Sequence, residues 1–282
     1  MIKFKKYNQN DLEHLQKLEL KILKDVISVC ETYDLKYYAY GGTALGAIRH
    51  GGFIPWDDDV DIALFREDYE KLLKIIASEL SEKYYLINSN KYKDYISSTT
   101  QVCLKGTTFK NNTEPPVSFD RGIFIDLFPL DNVPESKTKR KIQRYIYTII
   151  DHLLINLTFE VKSSNKLYST IHSLMHKTLK VIPGYEFIRK QQIKCLTKYN
   201  GKKTNYCTVF ALQNNFLNFG MDGFFDKRDF EPPKKVKFED IKINMPHNYD
   251  NILTTHYGDY MTLPPEEKRF NHSADILDFG KY

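Results

Sequence analysis

The sequence predicts an α+β protein with a mixed-sheet core in its first half and a helical subdomain added to it. Three observations carry that expectation. Short apolar runs with β-branched and aromatic content recur before residue 135. Longer stretches with helical periodicity separate them. From Ser136 to about Asn200 the pattern turns helical and lysine-rich, broken only at "VIPGY" by Pro183 and Gly184. With 282 residues the chain divides into a core over 1–135, a helical insertion over 136–205 and a C-terminal segment over 206–282 that packs back on the core.

Each element has its own signature. Leu12, Leu15, Leu18, Ile22, Val26 and Val29 recur at helical spacing, so 11–33 reads as a long amphipathic helix. "LKYYAY" reads as a short strand, "GGT" as a tight turn and "ALGAIRH" as a helical turn or two. "VDIALF" alternates and is β-branched, hence a strand. "REDYEKLLKIIASELSEK" returns to a helix with Tyr69, Leu72, Leu73, Ile76 and Leu80 on one side. "YYLIN", "STTQVCLK" and "RGIFIDLFPLD" are strand candidates, and Pro129 and Pro134 are expected to end the sheet pattern. Ile142, Ile146, Ile149, Ile150, Leu153 and Leu157 predict a core-facing helix, with a face resting on lipid as the alternative. The last eighty residues read as short and irregular, with a helix at "NYDNILTTHYG".

Composition narrows the function. A net charge of +5, spread along the chain, is too small and diffuse for a nucleic-acid partner. Cys30, Cys103, Cys195 and Cys207 stand far apart, which argues against a zinc site and for free thiols in a reducing cytoplasm. The N-terminus shows no signal peptide. Ile142 to Phe159 is interrupted by Arg144, Asp151, His152 and Asn156, so it is not expected to span a membrane.

The chemistry concentrates in "YGGTALGAIRHGGFIPWDDDVDIAL". Gly41 and Gly42 let backbone N–H groups approach a ligand closely. Thr43 can begin a helix whose N-terminus favours phosphate, with Arg49 and His50 close by in sequence. In an extended chain Asp57, Asp59 and Asp61 point one way, and Asp58, Val60 and Ile62 the other. Same-face Cα atoms lie roughly 6.5–7 Å apart, within reach of a shared cation. Hard oxygen ligands without His or Cys suit Mg²⁺. The apolar flanks argue against a solvated acidic loop, because carboxylates buried among apolar residues need compensation. Asp126, a single acid amid Ile123, Phe124, Ile125, Leu127 and Phe128, is the candidate third carboxylate, since metal sites commonly draw ligands from neighbouring strands. Asp131 follows Pro129 and reads as a turn residue.

These residues resemble the LicD family of phosphocholine transferases, whose distant relatives include the fukutin-related sugar-phosphate transferases. The likeness lies in "YYAYGGTALGAIRHGGFIPWDDDVDIAL", "FIDLFPLDNVP" and "YGDYMTLPPEEKRFNHS". It covers roughly 31–134 and 244–273 and leaves the helical middle unmatched. The resemblance implies a nucleotidyltransferase-like fold of the DNA polymerase beta group. Gly41, Gly42 and Thr43 match its glycine motif, Asp59 and Asp61 its acid pair, and Asp126 its third acid; Asp57 belongs to the family's acidic run. It implies Mg²⁺ or Mn²⁺ held by Asp57, Asp59, Asp61 and Asp126, with Asp59, Asp61 and Asp126 catalytic. It further implies transfer of a phospho-alcohol from a CDP-activated donor, CDP-choline favoured, to a hydroxyl of a cell-surface glycan or lipid-linked glycan, releasing CMP. Lys268, Arg269 and His272 would close over the donor, and the C-terminal segment would thereby complete its site. Trp56 and Tyr40 are candidates for an aromatic cage around choline. The location implied is the cytoplasm, including the inner face of its membrane.

Other readings share these carboxylates. A nucleotidylyltransferase acting on a small molecule with NTP would release pyrophosphate instead of CMP. A non-catalytic binding protein would not need the intact acids. A DxD glycosyltransferase would need a repeated βαβ half that the sequence does not show.

Overall fold

The computed structural model describes residues 7–111, 117–159, 170, 173–174, 184–213, 222–269, 271 and 274–282. Helix α1 (Gln9–Thr32) starts where the Asn8 side chain accepts the Asp11 N–H at 2.8 Å. It buries Leu15, Ile22, Leu23 and Val26 completely, each contributing about 1.5–3 kcal/mol. The chain continues through β1 (Tyr37–Ala39), α2 (Gly41–Arg49), β2 (Asp61–Phe65), α3 (Arg66–Glu79), β3 (Tyr84–Asn88), β4 (Thr100–Leu104), β5 (Thr108–Lys110) and β6 (Phe124–Val133).

All of these strands but β5 form a mixed sheet in the order β1-β2-β6-β4-β3. Only β2 and β6 run parallel; the other neighbours are antiparallel. The architecture is α+β, with six helices among the described residues. One sheet face, with Ile62, Leu64, Val102, Leu104, Ile125 and Leu127, joins the α1 and α3 side chains in the main core. The opposite face carries two smaller apolar clusters. Tyr38, Tyr40, Ala63, Phe128 and Leu130 belong to one, and Ile87, Tyr95, Cys103 and Phe119 to the other. Between them the sheet presents polar residues.

Pro129 does not end the sheet. β6 runs ten residues, from Phe124 to Val133, and includes it. Asp126 donates its N–H to Val60 on the β2 side, so by strand alternation the Pro129 nitrogen faces the β4 side. Pairing with β4 stops at Leu127 opposite Thr100. The next partner on β6, β7 (Tyr206–Thr208), begins opposite Asp131. Proline falls in the gap where no neighbour needs its missing N–H. β8 (Phe225–Asp226) then adds to β7.

Helices α4 (Lys137–Thr158) and α5 (Tyr185–Thr197) follow β6 and pack on each other. The expected core stripe on α4 is turned outward: Ile142, Ile146 and Ile149 are 52%, 45% and 61% exposed. The buried face instead mixes Arg140, Gln143, Arg144 and Asn156 with Tyr147 and Leu154. Arg140 donates to the Pro134 and Glu135 carbonyls and stacks 3.9 Å from the Tyr206 ring. Gln143 donates to the Cys195 carbonyl at 2.7 Å and Arg144 to that of Asp222 at 3.0 Å. Directional bonds to carbonyls thus hold the polar part of this face inward, beside the apolar packing of Tyr147 on Phe210. Among the described residues no helix is long and apolar enough to cross a membrane.

The C-terminal region is more regular than expected. β9 (Lys234–Phe238) and β10 (Ile241–Met245) form a hairpin, and β9 contacts α2. Helix α6 (Tyr249–Tyr257) packs on α2 as well. β11 (Ile276–Asp278) pairs with β5, and Phe279 stacks on His14 with centroids 4.0 Å apart. All four cysteines are free thiols.

Candidate active site

The site is built where β1 turns into α2. Gly41 has φ +51°, a conformation glycine adopts without strain. The glycine pair forms the first turn of α2 and is not a separate loop before it. Its N–H groups face acids: the Gly42 N–H bonds the Asp61 carboxyl. A Cβ on Gly42 would stand 2.5 Å from Asp57 Oδ2 and 3.7 Å from Asp59 Oδ1, and one on Gly41 would collide with Asp61 Oδ2. Both glycines therefore let carboxylates close on the positive end of the helix. The buried Thr43 hydroxyl accepts the Asp61 N–H at 2.8 Å, fixing the start of β2.

The acidic run precedes β2 as extended chain. Gln16 on α1 pins it by donating to the Asp57 carbonyl at 2.9 Å. Asp57 and Asp59 turn toward Gly42. Asp58 turns the other way and is 2% exposed. There it bonds the Tyr7 hydroxyl, which also accepts the Ala274 N–H at 2.6 Å. Glu19 of α1, likewise 2% exposed, lies close enough for the Asp58 charge to act on it. Burial, then the charges of Asp58, Asp59, Asp57 and Asp61, hold its carboxyl well above the usual range.

Asp126 stands directly opposite Asp61 on the adjacent parallel strand. Burial and the charges of Asp59, Asp126 and Asp57 push the Asp61 carboxyl well above its ordinary value, against the opposing Gly42 N–H. Asp57, Asp59 and Asp61 thus converge at one helix head, with Asp126 on the strand beside Asp61. Among the described residues no three His, Cys, Asp or Glu side chains form a ready-made metal cage.

A basic and aromatic rim flanks the acids. Arg49 donates to the Tyr260 carbonyl at 2.9 Å and to His50 Nε2 at 2.9 Å. Partial burial lowers the proton affinity of both Arg49 and His50; Arg269 adds to the effect on Arg49, and Arg49 to that on His50. The Arg269 guanidinium lies 4.9 Å from the Trp56 ring centroid, and His50 meets that ring edge-on at 6.3 Å. Lys268 is exposed in the adjacent 3-10 turn Glu266–Lys268. His272 lies outside the described residues. Tyr257 stands at the rim, where local burial and then Asp61, Asp57 and Asp59 raise its phenol.

The choline cage expected from Trp56 and Tyr40 is not formed by this pair. Tyr40 is fully buried, with its hydroxyl 3.1 Å from His256 Nε2. Arg269 already lies over Trp56. Sequence reasoning also missed residues around the site. Glu19 had a signal, because it interrupts the buried helical stripe of Leu15, Leu18, Ile22 and Leu23. Tyr257 and Gln101 had none beyond their strand and helix patterns. Asp131 is no turn residue: it is wholly buried and takes a forked pair of bonds from Arg66, at 2.8 and 2.6 Å. Two cavities, about 640 Å³ between α4 and α5 and about 430 Å³ beside α3 and α5, lie away from the acids.

A glycine-headed helix thus faces acids carried by, or leading into, two neighbouring strands of the sheet. Residues 34–159 match the family described as "LicD/FKTN/FKRP, nucleotidyltransferase domain". The chain is 28% identical over 263 residues to the lipopolysaccharide cholinephosphotransferase LicD of Haemophilus influenzae, covering 93% of this chain and 95% of that protein. The ribitol 5-phosphate transferase FKRP of human and mouse is 49% identical over 43 residues, which are 15% of this chain and 9% of FKRP.

Proposed function

We propose that this chain transfers phosphocholine, or a related phospho-alcohol, from a CDP-activated donor to a hydroxyl of a glycan or lipid-linked glycan, releasing CMP. Similarity to the cholinephosphotransferase over nearly the whole chain supports the reaction class. The observation that carries the mechanism is the pairing of Asp61 with Asp126 across parallel strands, with Asp57 and Asp59 converging beside Gly42. We read the sheet as nucleotidyltransferase-like, of the DNA polymerase beta kind, and place the reaction in the cytoplasm or at the inner face of its membrane.

The donor set fits a divalent cation. Every candidate ligand is a hard carboxylate oxygen, and packing them costs energy that positive charge offsets. Asp57, Asp59, Asp61 and Asp126 would hold Mg²⁺ or Mn²⁺, which would neutralise charge on the diphosphate and the leaving CMP. Asp126 accepts the proton of the attacking hydroxyl. Arg49 and Arg269, with Lys268 beside them, bind the donor phosphates from the rim. Thr43 holds Asp61 in register throughout.

Melting curves with Mg²⁺ plus CDP-choline, CDP-ribitol, CDP-glycerol or CTP test the donor, because a ligand of the native state raises its melting temperature. A CDP-alcohol that stabilises only with Mg²⁺ and yields CMP supports the proposal. Stabilisation by CTP alone, with pyrophosphate released, would instead favour a nucleotidylyltransferase. No response to any nucleotide would leave the binding-protein reading.

A further inference from the structure

We infer that Gln101 receives a hydroxyl or N–H of the acceptor, next to the one that attacks; this rests on the transferase reading above. Gln101 on β4 is the register partner of Asp126 on β6, and Asp126 is the partner of Asp61 on β2. Directly opposed residues share a sheet face, with Cβ atoms about 4.5–5.5 Å apart. Asp61, Asp126 and Gln101 therefore stand in one row, in the polar gap between the two apolar clusters of that face. On its other side Gln101 is paired with Ile87, which is fully buried.

Gln101 is only 6% exposed, yet its Oε1 is buried without a hydrogen-bond partner. Leaving such an oxygen unpaired is destabilising, because it has given up water for nothing. The neighbouring threonines are satisfied: the Thr100 hydroxyl bonds Tyr69 at 2.6 Å, and that of Thr99 bonds Tyr95 at 2.7 Å. A central strand position would tolerate valine or leucine more cheaply, so the orphan oxygen points to a ligand.

The chemistry of the orphan selects that ligand. A carbonyl oxygen is satisfied by a hydrogen donor or a cation; ionised phosphates carry no donor, so the diphosphate is excluded, and the reading above already gives the cation four carboxylates. The attacking hydroxyl has a single proton, which goes to Asp126. What remains for Gln101 is a second donor on the same molecule, such as the adjacent hydroxyl or amide of a sugar. Held there, the sugar presents its attacking oxygen between Gln101 and Asp126. The ribose hydroxyls or cytosine amine of the donor have the same chemistry, and kinetics separate the two sources.

The test compares wild type with Gln101→Leu, using CDP-choline as donor and bacterial lipopolysaccharide as acceptor probe, and follows CMP release with and without lipopolysaccharide. We expect the KM for lipopolysaccharide to rise roughly tenfold, the loss of one hydrogen bond. The KM for CDP-choline and the acceptor-independent release should stay within about twofold on the same reasoning. The melting temperature should hold or rise, since the buried oxygen has no protein partner to lose. An unchanged acceptor KM, a rise confined to the CDP-choline KM, or a fall in melting temperature overturns the inference. A wild type without lipopolysaccharide-dependent release overturns it too. A wild type releasing no CMP from any CDP-alcohol marks the failure of the transferase reading itself.

Discussion

Asp61→Asn should make the metal-free protein more stable and the enzyme inactive. Asp61 sits beside Asp59, Asp57 and Asp126, and burial and those charges raise its carboxyl well above the ordinary range. At about 6 Å and an effective dielectric of about 20, one like-charge pair costs about 2–3 kcal/mol. Asparagine keeps an oxygen for the Gly42 N–H and leaves the Asp61 N–H on Thr43 untouched, so about 2 kcal/mol of repulsion is relieved with the local bonds intact. For a chain of this size that corresponds to about 3–4 °C in melting temperature. The sign with pH follows from the raised affinity. As pH rises above the unfolded carboxylate value, near about 4, the unfolded chain loses this proton first, and native Asp61 becomes progressively destabilising. The gain from asparagine should therefore be small near pH 4–5 and grow toward pH 8. Thermal denaturation of both proteins at several pH values, without and with Mg²⁺, makes the check. Mg²⁺ should stabilise wild type and have far less effect on the variant. A variant less stable than wild type without metal, or equal Mg²⁺ responses, refutes the argument that these acids are held together for a cation.

Two further outcomes follow from buried groups. Asp131→Asn leaves Arg66 without its carboxylate and weakens the Asn200 bond to Asp131 of 2.7 Å; urea denaturation should show a loss of about 3 kcal/mol, whereas a loss near zero would mean the pair contributes nothing net. Burial lowers His256 to about 4, so it is neutral beside Tyr40 at pH 7; because the unfolded imidazole protonates first, wild type should lose roughly 1–2 kcal/mol between pH 7 and pH 5 that His256→Gln does not lose, and parallel slopes for the two proteins would exclude that origin.

The parts of the site that were legible in the sequence are those set by strand periodicity. Asp61 and Asp126 were readable because each interrupts an apolar strand, and the outward turn of Asp58 relative to Asp57 and Asp59 follows from alternation alone. The partners that strands choose were not readable. Pro129 looked like a terminator because its missing N–H matters only if a neighbour needs it, and that depends on where β4 ends and β7 begins. The α4 stripe misled for a different reason. Apolar periodicity locates the core only when burial area decides orientation; here Arg140, Gln143 and Arg144 find carbonyl acceptors that anchor the polar face inward. Tyr40 looked like a ligand aromatic because its place in the chain is next to the glycines, while its ring belongs to the core.

The three consecutive aspartates make sense as a two-sided device. A loop carrying only Asp57 and Asp59 would be driven off the helix head by the repulsion that Asp61 and Asp126 exert on it. Asp58, pointing backward, gives the same loop an anchor in the interior, where Tyr7 holds it and Ala274 holds Tyr7. Gln16 fixes the backbone from α1. The anchor is itself costly, since Glu19 lies beside it, and the raised affinity of Glu19 for its proton is how that cost is contained. Repulsion on the front of the loop is thus opposed by hydrogen bonds on its back, which hold Asp57 and Asp59 beside Gly42. Tyr7 also ties Ala274, just before β11, to the acidic loop.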